Sequence, residues 1–163
     1  MTQITIDIKK ETVFSEVLKV TGYLGAKDTA DASTYEQIAV SESNYEMLER
    51  FLANGETVVT DLLRGYLSSL DMSEGYKIVL DLPSNWNTAL ESDVKQTILN
   101  YFVNYVSAQW VRIVKDQTYQ VNNHEDKWNQ DAAGSLAQLR RKVNDRIRPK
   151  RSESNTSTTE ENE

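Results

Sequence analysis

The chain has 163 residues, no cysteine and a net charge of −7, so it suits one domain with a real core and not two. The absence of thiols excludes disulfides, thiolate nucleophiles and cysteine metal sites. No apolar run approaches the roughly 20 residues of a membrane span, and Met1-Thr2-Gln3-Ile4-Thr5-Ile6-Asp7 does not read as a signal peptide, having no basic and no apolar stretch.

The chain opens on alternation. Ile4, Ile6 and Ile8 are separated by polar residues, which predicts a strand. The period then lengthens: Val13, Val17 and Val20, with Phe14, Leu18 and Tyr23, predict a helix that Gly22 and Gly25 would end. Residues 26–34 are small and polar and read as a loop, and Tyr35 to Val40 read as one short helical turn. Ser41 or Ser43 is the expected N-cap of the next helix, since Glu46 follows Ser43 at capping-box spacing. Tyr45, Leu48, Leu52, Val59, Leu62, Tyr66 and Leu70 then share one helical face from about residue 43 to 70. Asn54-Gly55 interrupts that face: either one kinked helix runs through it or two helices meet there, and two are favoured, with Glu56 in the first turn of the second.

Tyr76, Ile78, Leu80 and Leu82 alternate up to Pro83 and predict a second strand. A lone pair of strands is marginal and must lean on helices or on another subunit. From about residue 90 to 120, Leu90, Val94, Ile98, Phe102, Tyr105, Val106, Trp110, Ile113 and Val114 keep helical spacing. Such a helix would be roughly 45 Å long, too long for a compact domain of this size unless it is broken, forms a rim or packs against other chains. Residues 120–126 read as a connector. A last helix is expected from about 125 to 147, with Trp128, Ala132, Leu136, Leu139, Val143 and Ile147 on one face and Pro149 as its stop. The fold class expected is mainly α: a bundle with long helices and a minor two-strand β element. Residues 1–151 form the single domain.

The charge changes abruptly near the end. Residues 1–139 carry a net −9, residues 140–151 a net +6, and residues 152–163 a net −4. So acidic a body is a poor general binder of nucleic acid, because phosphate contact needs clustered Lys and Arg. The dipole of a helix C-terminus uses one or two of the seven cations Arg140, Arg141, Lys142, Arg146, Arg148, Lys150 and Arg151. The rest point to docking on an acidic partner surface or nucleic acid. Residues 152–163 contain no apolar side chain and are expected to form a disordered acidic tail.

No constellation predicts catalysis. The lone histidine, His124, beside Glu125 and Asp126, reads as an exposed loop residue without a second ligand. Asp71, Glu74 and Asp81 flank the second strand and read as solvated turn carboxylates. Gly22-Tyr23-Leu24-Gly25 is too short for a phosphate loop and lacks its lysine. Trp110, Trp128, Tyr101 and Tyr105 lie on apolar stripes and read as core or subunit-interface anchors. No catalytic residue, cofactor or metal is expected.

The helix 43–53, the second helix from Glu56-Thr57-Val58-Val59, the long segment Leu90–Val114 and the closing basic helix share a layout. The long segment contains Tyr101-Phe102-Val103-Asn104-Tyr105-Val106 and Ala108-Gln109-Trp110; the closing helix contains Leu139-Arg140-Arg141-Lys142 and Arg146-Ile147-Arg148-Pro149-Lys150-Arg151. Across residues 11–151 this layout resembles the small head–tail connector (adaptor) proteins of tailed bacteriophages. The two strands depart from a purely helical adaptor and leave another connector ring or a tail component open. The resemblance implies a virion protein assembled in the host cytoplasm, with about a dozen copies in a closed ring beneath the portal protein. The ring would surround the DNA channel without sequence-specific binding and carry the tail or stopper proteins. It implies no enzyme activity and no membrane, and it maps the basic residues of 140–151 to an extension that reaches the portal. The other reading of the residues is a cytosolic scaffold or regulatory protein that binds an acidic partner or nucleic acid through 140–151.

Overall fold

The computed structural model describes residues 1–28, 40–115 and 122–147. In chain order these form β1 (Thr2–Lys9), α1 (Lys10–Asp28), α2 (Tyr45–Leu63), β2 (Leu67–Asp71), β3 (Gly75–Leu82), α3 (Glu91–Lys115) and α4 (Asn122–Val143). Short 3-10 turns at Glu42–Asn44, Arg64–Tyr66 and Thr88–Leu90 lead into or out of them. The described residues are therefore mainly α, with four long helices and a small antiparallel sheet.

The sheet has three strands in the order β1–β3–β2, not the two expected. β3 is central, pairing Ile6 with Ile78 and Ile4 with Leu80 on one side and Leu70 with Ile78 on the other. The third strand, β2, falls where the helical spacing of Leu62, Tyr66 and Leu70 predicts the end of a helix. It is an edge strand exposed along nearly its whole length, so it carries no alternation to detect. One face of the sheet is apolar: Ile4, Ile6, Ile8, Tyr76, Ile78, Leu80 and Leu82 are all buried. That face meets the helices in a single core with Val17, Leu52, Val59, Ile98, Phe102, Val106 and Leu139. Tyr76 meets Phe102 edge-on at 5.2 Å between ring centres.

Two glycine breaks predicted from sequence do not occur. α1 runs through Gly22 and Gly25 to Asp28. Burial of Val13, Phe14 and Val17 outweighs the helix cost of glycine, about 1 kcal/mol each. α2 is one helix through Asn54-Gly55. Gly55 lets α3 approach: a Cβ there would lie 3.2 Å from Tyr105 Cδ1 and 3.6 Å from Phe102 Cδ1. Glu56 is accordingly mid-helix and buried rather than in a first turn. The N-cap of α2 is Asn44, neither Ser41 nor Ser43; Ser41 caps the preceding 3-10 turn, its backbone N–H donating to Asn44 Oδ1 at 3.0 Å. Residues 29–39, which include most of the expected loop and the turn at 35–40, lie outside the described residues, and Val40 is not helical.

α3 is the spine. Its 25 residues span about 37 Å, and it packs against α1, α2, α4 and β1. The expected connector at 120–126 is partly helix, since α4 begins at Asn122. Residues 116–121 lie outside the described residues.

Candidate docking surface at the end of the last helix

α4 stops at Val143, not at Ile147 or Pro149. The physical reason lies in how its last four carbonyls are satisfied. Asn144 Nδ2 donates to the Arg140 carbonyl at 2.7 Å. The Asn144 and Asp145 backbone N–H groups donate to Arg141 and Lys142, each at 3.2 Å. Trp86 Nε1 donates to the Lys142 carbonyl at 2.9 Å, and Arg146 Nη1 donates to Val143 at 2.8 Å. The chain then turns away. Arg146 forms an antiparallel bridge with Trp86, and Ile147 N–H donates to Asn85 at 2.8 Å. Trp86 is itself 1% exposed, so this terminus is bolted to the core.

The bolting divides the basic cluster. Lys142 turns inward, with Nζ 2.7 Å from Thr97 Oγ1 and 3.0 Å from Asp93 Oδ2. Arg146 is half-buried and caps the helix. Arg140 and Arg141 are exposed on the last turn. Arg148, Lys150 and Arg151 lie outside the described residues, as does the tail 152–163. Of the four described cations of the cluster, Lys142 and Arg146 therefore serve the fold. Tyr66 Oη donates to Asn144 Oδ1 at 2.7 Å and adds a further tie at the same point.

The aromatic anchors fall in or against the core. Tyr101, Trp110 and Trp128 are buried, while Tyr105 is half-buried and stacks on Tyr101 at 5.7 Å. Burial pushes the Tyr101 phenol up to about 12, and Tyr105 beside it adds to the effect. His124 is not an exposed loop residue. It sits half-buried in the first turn of α4, 6.2 Å from the Trp128 ring. Of the carboxylates around β2 and β3, Asp71 and Glu74 line one pocket with Asp7, Lys9 and Lys77, whereas Asp81 does not. Asp71 Oδ1 accepts from Ser73 N and Oγ, which lowers its pKa, and Asp81 Oδ1 accepts from Gln3 Nε2 at 3.0 Å. Among the described residues no cluster of three or more His, Asp or Glu is placed to hold a metal ion. No helix there is long and apolar enough to cross a membrane.

Sequence reasoning missed three residues. Trp86 stands alone between Pro83 and the next helix, without periodicity to mark it as core. Thr97 looks like a polar surface position on α3 but is 5% exposed and receives Lys142. Glu56 is 4% exposed, and its Oε1 has no hydrogen-bond partner. Burial raises its pKa, and the charge of Lys10 partly opposes that rise. No family model, curated protein or solved structure matches the chain.

Proposed function

We propose that the chain is a non-enzymatic structural subunit of a tailed-phage virion. About a dozen copies would form a ring at the head–tail junction, bridge portal to tail or stopper and surround the DNA channel. The observation that carries this reading is the unequal use of the basic cluster. The fold consumes Lys142 and Arg146, leaves Arg140 and Arg141 exposed on a terminus held rigid by Trp86, and continues into Arg148, Lys150 and Arg151. Arg140 and Arg141, exposed on the last turn of a helix tied to the core by Trp86, suit docking on an acidic protein surface. The long α3 spine supports the reading as well, because such a helix gives a washer-like subunit its height. The net −9 of residues 1–139 suits a channel wall from which DNA is repelled and along which it slides.

The test is assembly on portal rings of the parent phage, followed by electron microscopy. The full chain should add a ring of density below the portal, and Arg140→Glu/Arg141→Glu should reduce its occupancy at least tenfold. A monomer in isolation decides nothing, because portal contact can be what triggers closure. A chain that ignores portals and binds duplex DNA with a steep salt dependence, lost in the same variant, would favour the scaffold or regulatory reading instead.

A further inference from the structure

The fold leaves one sheet edge open. β1 and β2 are both edge strands. β2 has five residues and a register shift between Leu67 and Ser69, and short, irregular edges resist unwanted pairing. β1 has eight residues, holds an unbroken register from Thr2 to Lys9 and contains no proline. Among the described residues no strand pairs with its outer side. Such an edge is a template for an added strand.

A trough adjoins it. The part nearest β1, about 310 Å³, is lined by Asp7, Ile8, Lys9, Thr12, Lys95 and Leu99. Thr12 and Leu99 are shared with a larger part, about 790 Å³, that runs between α1 and α4 over α3. Its walls are largely amides and hydroxyls, among them Gln96, Asn100, Asn104 and Gln138. It also presents the carboxylates of Glu16 and Asp131, and no cation lines it. Lys19 pairs with Glu16 at 2.7 Å from the exposed side, a contact that solvent weakens. The large part of the trough is mainly polar and acidic, whereas the part beside β1 is mainly apolar and carries Lys9 and Lys95 together with the Asp7 carboxylate.

This chain contains a segment of matching order. Arg148, Lys150 and Arg151 precede twelve residues, SESNTSTTEENE, that carry four acidic side chains and no apolar one. We propose that residues 148–163 of a neighbouring copy occupy this trough. The basic stretch lies against Glu16 and Asp131, and the polar stretch adds a strand to the open edge of β1. Twelve residues exceed the eight of β1, and the acidic groups come to Lys9 and Lys95. A segment without apolar side chains cannot offset its ordering entropy by core burial. A free strand edge and opposed charges supply the backbone hydrogen bonds and ion pairs that can. The proposal rests only on the multi-copy part of the functional reading. Ring formation on a portal is seen by microscopy and can succeed or fail independently of what fills the trough.

The absence of native cysteine makes the test free of background. Full-length Asp131→Cys and Lys150→Cys chains, one of them isotopically heavy, are mixed, assembled on portal rings and mildly oxidised, and the cross-linked peptides are identified by mass. The expected result is a disulfide between copies, at least tenfold more abundant than with Ser69→Cys on β2 in place of Asp131→Cys. The same chain with Arg148, Lys150 and Arg151 changed to Glu should show at least tenfold faster hydrogen exchange at backbone amides of β1 that face its open edge. Cross-linking no better than the control, or found only within one chain in a molecule carrying both cysteines, overturns the proposal.

Discussion

The indole N–H of Trp86 donates to the main-chain carbonyl of Lys142 at 2.9 Å and joins the turn after β3 to the last turn of α4. It is a part-buried contact between residues 56 positions apart. Trp86→Phe keeps most of the ring volume but removes the donor. The Lys142 carbonyl retains the Asp145 N–H, so the cost should be moderate, about 1–2 kcal/mol. Trp86→Ala also opens a cavity and should cost about 3–5 kcal/mol. Urea unfolding measures both. Equal losses for the two would mean that the hydrogen bond, rather than packing, dominates at this site.

The two kinds of cation at this terminus should separate by mutation. Lys142 has a side chain 15% exposed and meets Thr97 and Asp93. Lys142→Met keeps the stem and removes the charge, leaving the Thr97 hydroxyl without that donor; a loss of about 1–2 kcal/mol is expected. Arg140→Glu/Arg141→Glu acts on exposed side chains and should change stability by less than about 0.5 kcal/mol apiece, while abolishing portal docking. Thermal unfolding and portal co-sedimentation, read side by side, check the division. A double variant that unfolds far below the parent would place these arginines with the structural set.

Much of this architecture was legible before any coordinates, and its failures share a cause. Ile4, Ile6, Ile8 and Tyr76, Ile78, Leu80, Leu82 announced β1 and β3 because one face of each strand is buried and the other wet. The helices announced themselves by the same logic at longer period. β2 was silent because nearly all of it is exposed. Gly55 misled because a glycine needed for close helix approach looks, in one dimension, like a glycine that ends a helix. The end of α4 misled for a related reason. Its stop signal is the Trp86 indole and the Arg146 bridge, supplied by tertiary structure, whereas Pro149 was the only local stop in view. The surplus of positive charge near the end was legible, but which of the described cations the fold uses required Thr97 and Asp93.

Gly55 gives a graded test of that close approach. Alanine adds helix propensity of up to about 1 kcal/mol, but its Cβ would stand 3.2 Å from Tyr105 Cδ1. Tyr105 is half-buried and can yield a few tenths of an ångström, so Gly55→Ala should lie within about 1 kcal/mol of the parent. Gly55→Val adds branches that must also displace Phe102, which is fully buried, and should cost at least about 2 kcal/mol. Chemical denaturation of both variants decides the point. If valine were tolerated as well as alanine, the interface between α2 and α3 would be looser than these distances require.

Glu56 predicts the pH dependence. Its carboxyl is buried in α2 with Oε1 unpartnered, one turn before Thr60, whose hydroxyl meets Tyr76 Oη at 3.1 Å. Burial raises the Glu56 pKa above 4.5, while the Lys10 charge holds the rise back. A carboxyl with a raised folded-state pKa binds its proton more tightly in the folded chain than in the unfolded one. Its contribution is therefore most favourable below the unfolded value near 4.5 and is lost as pH rises through the raised folded value. Glu56→Gln, neutral at every pH, should match the parent near pH 4 and exceed it in stability at pH 8. Lys10→Met should deepen the parent's loss at pH 8, because it removes the charge that favours the ionised form. Urea midpoints measured from about pH 4 to 8 test the sign directly. A parent that gains stability relative to Glu56→Gln as pH rises would show that Glu56 is ionised and well solvated, and that its burial costs the fold nothing.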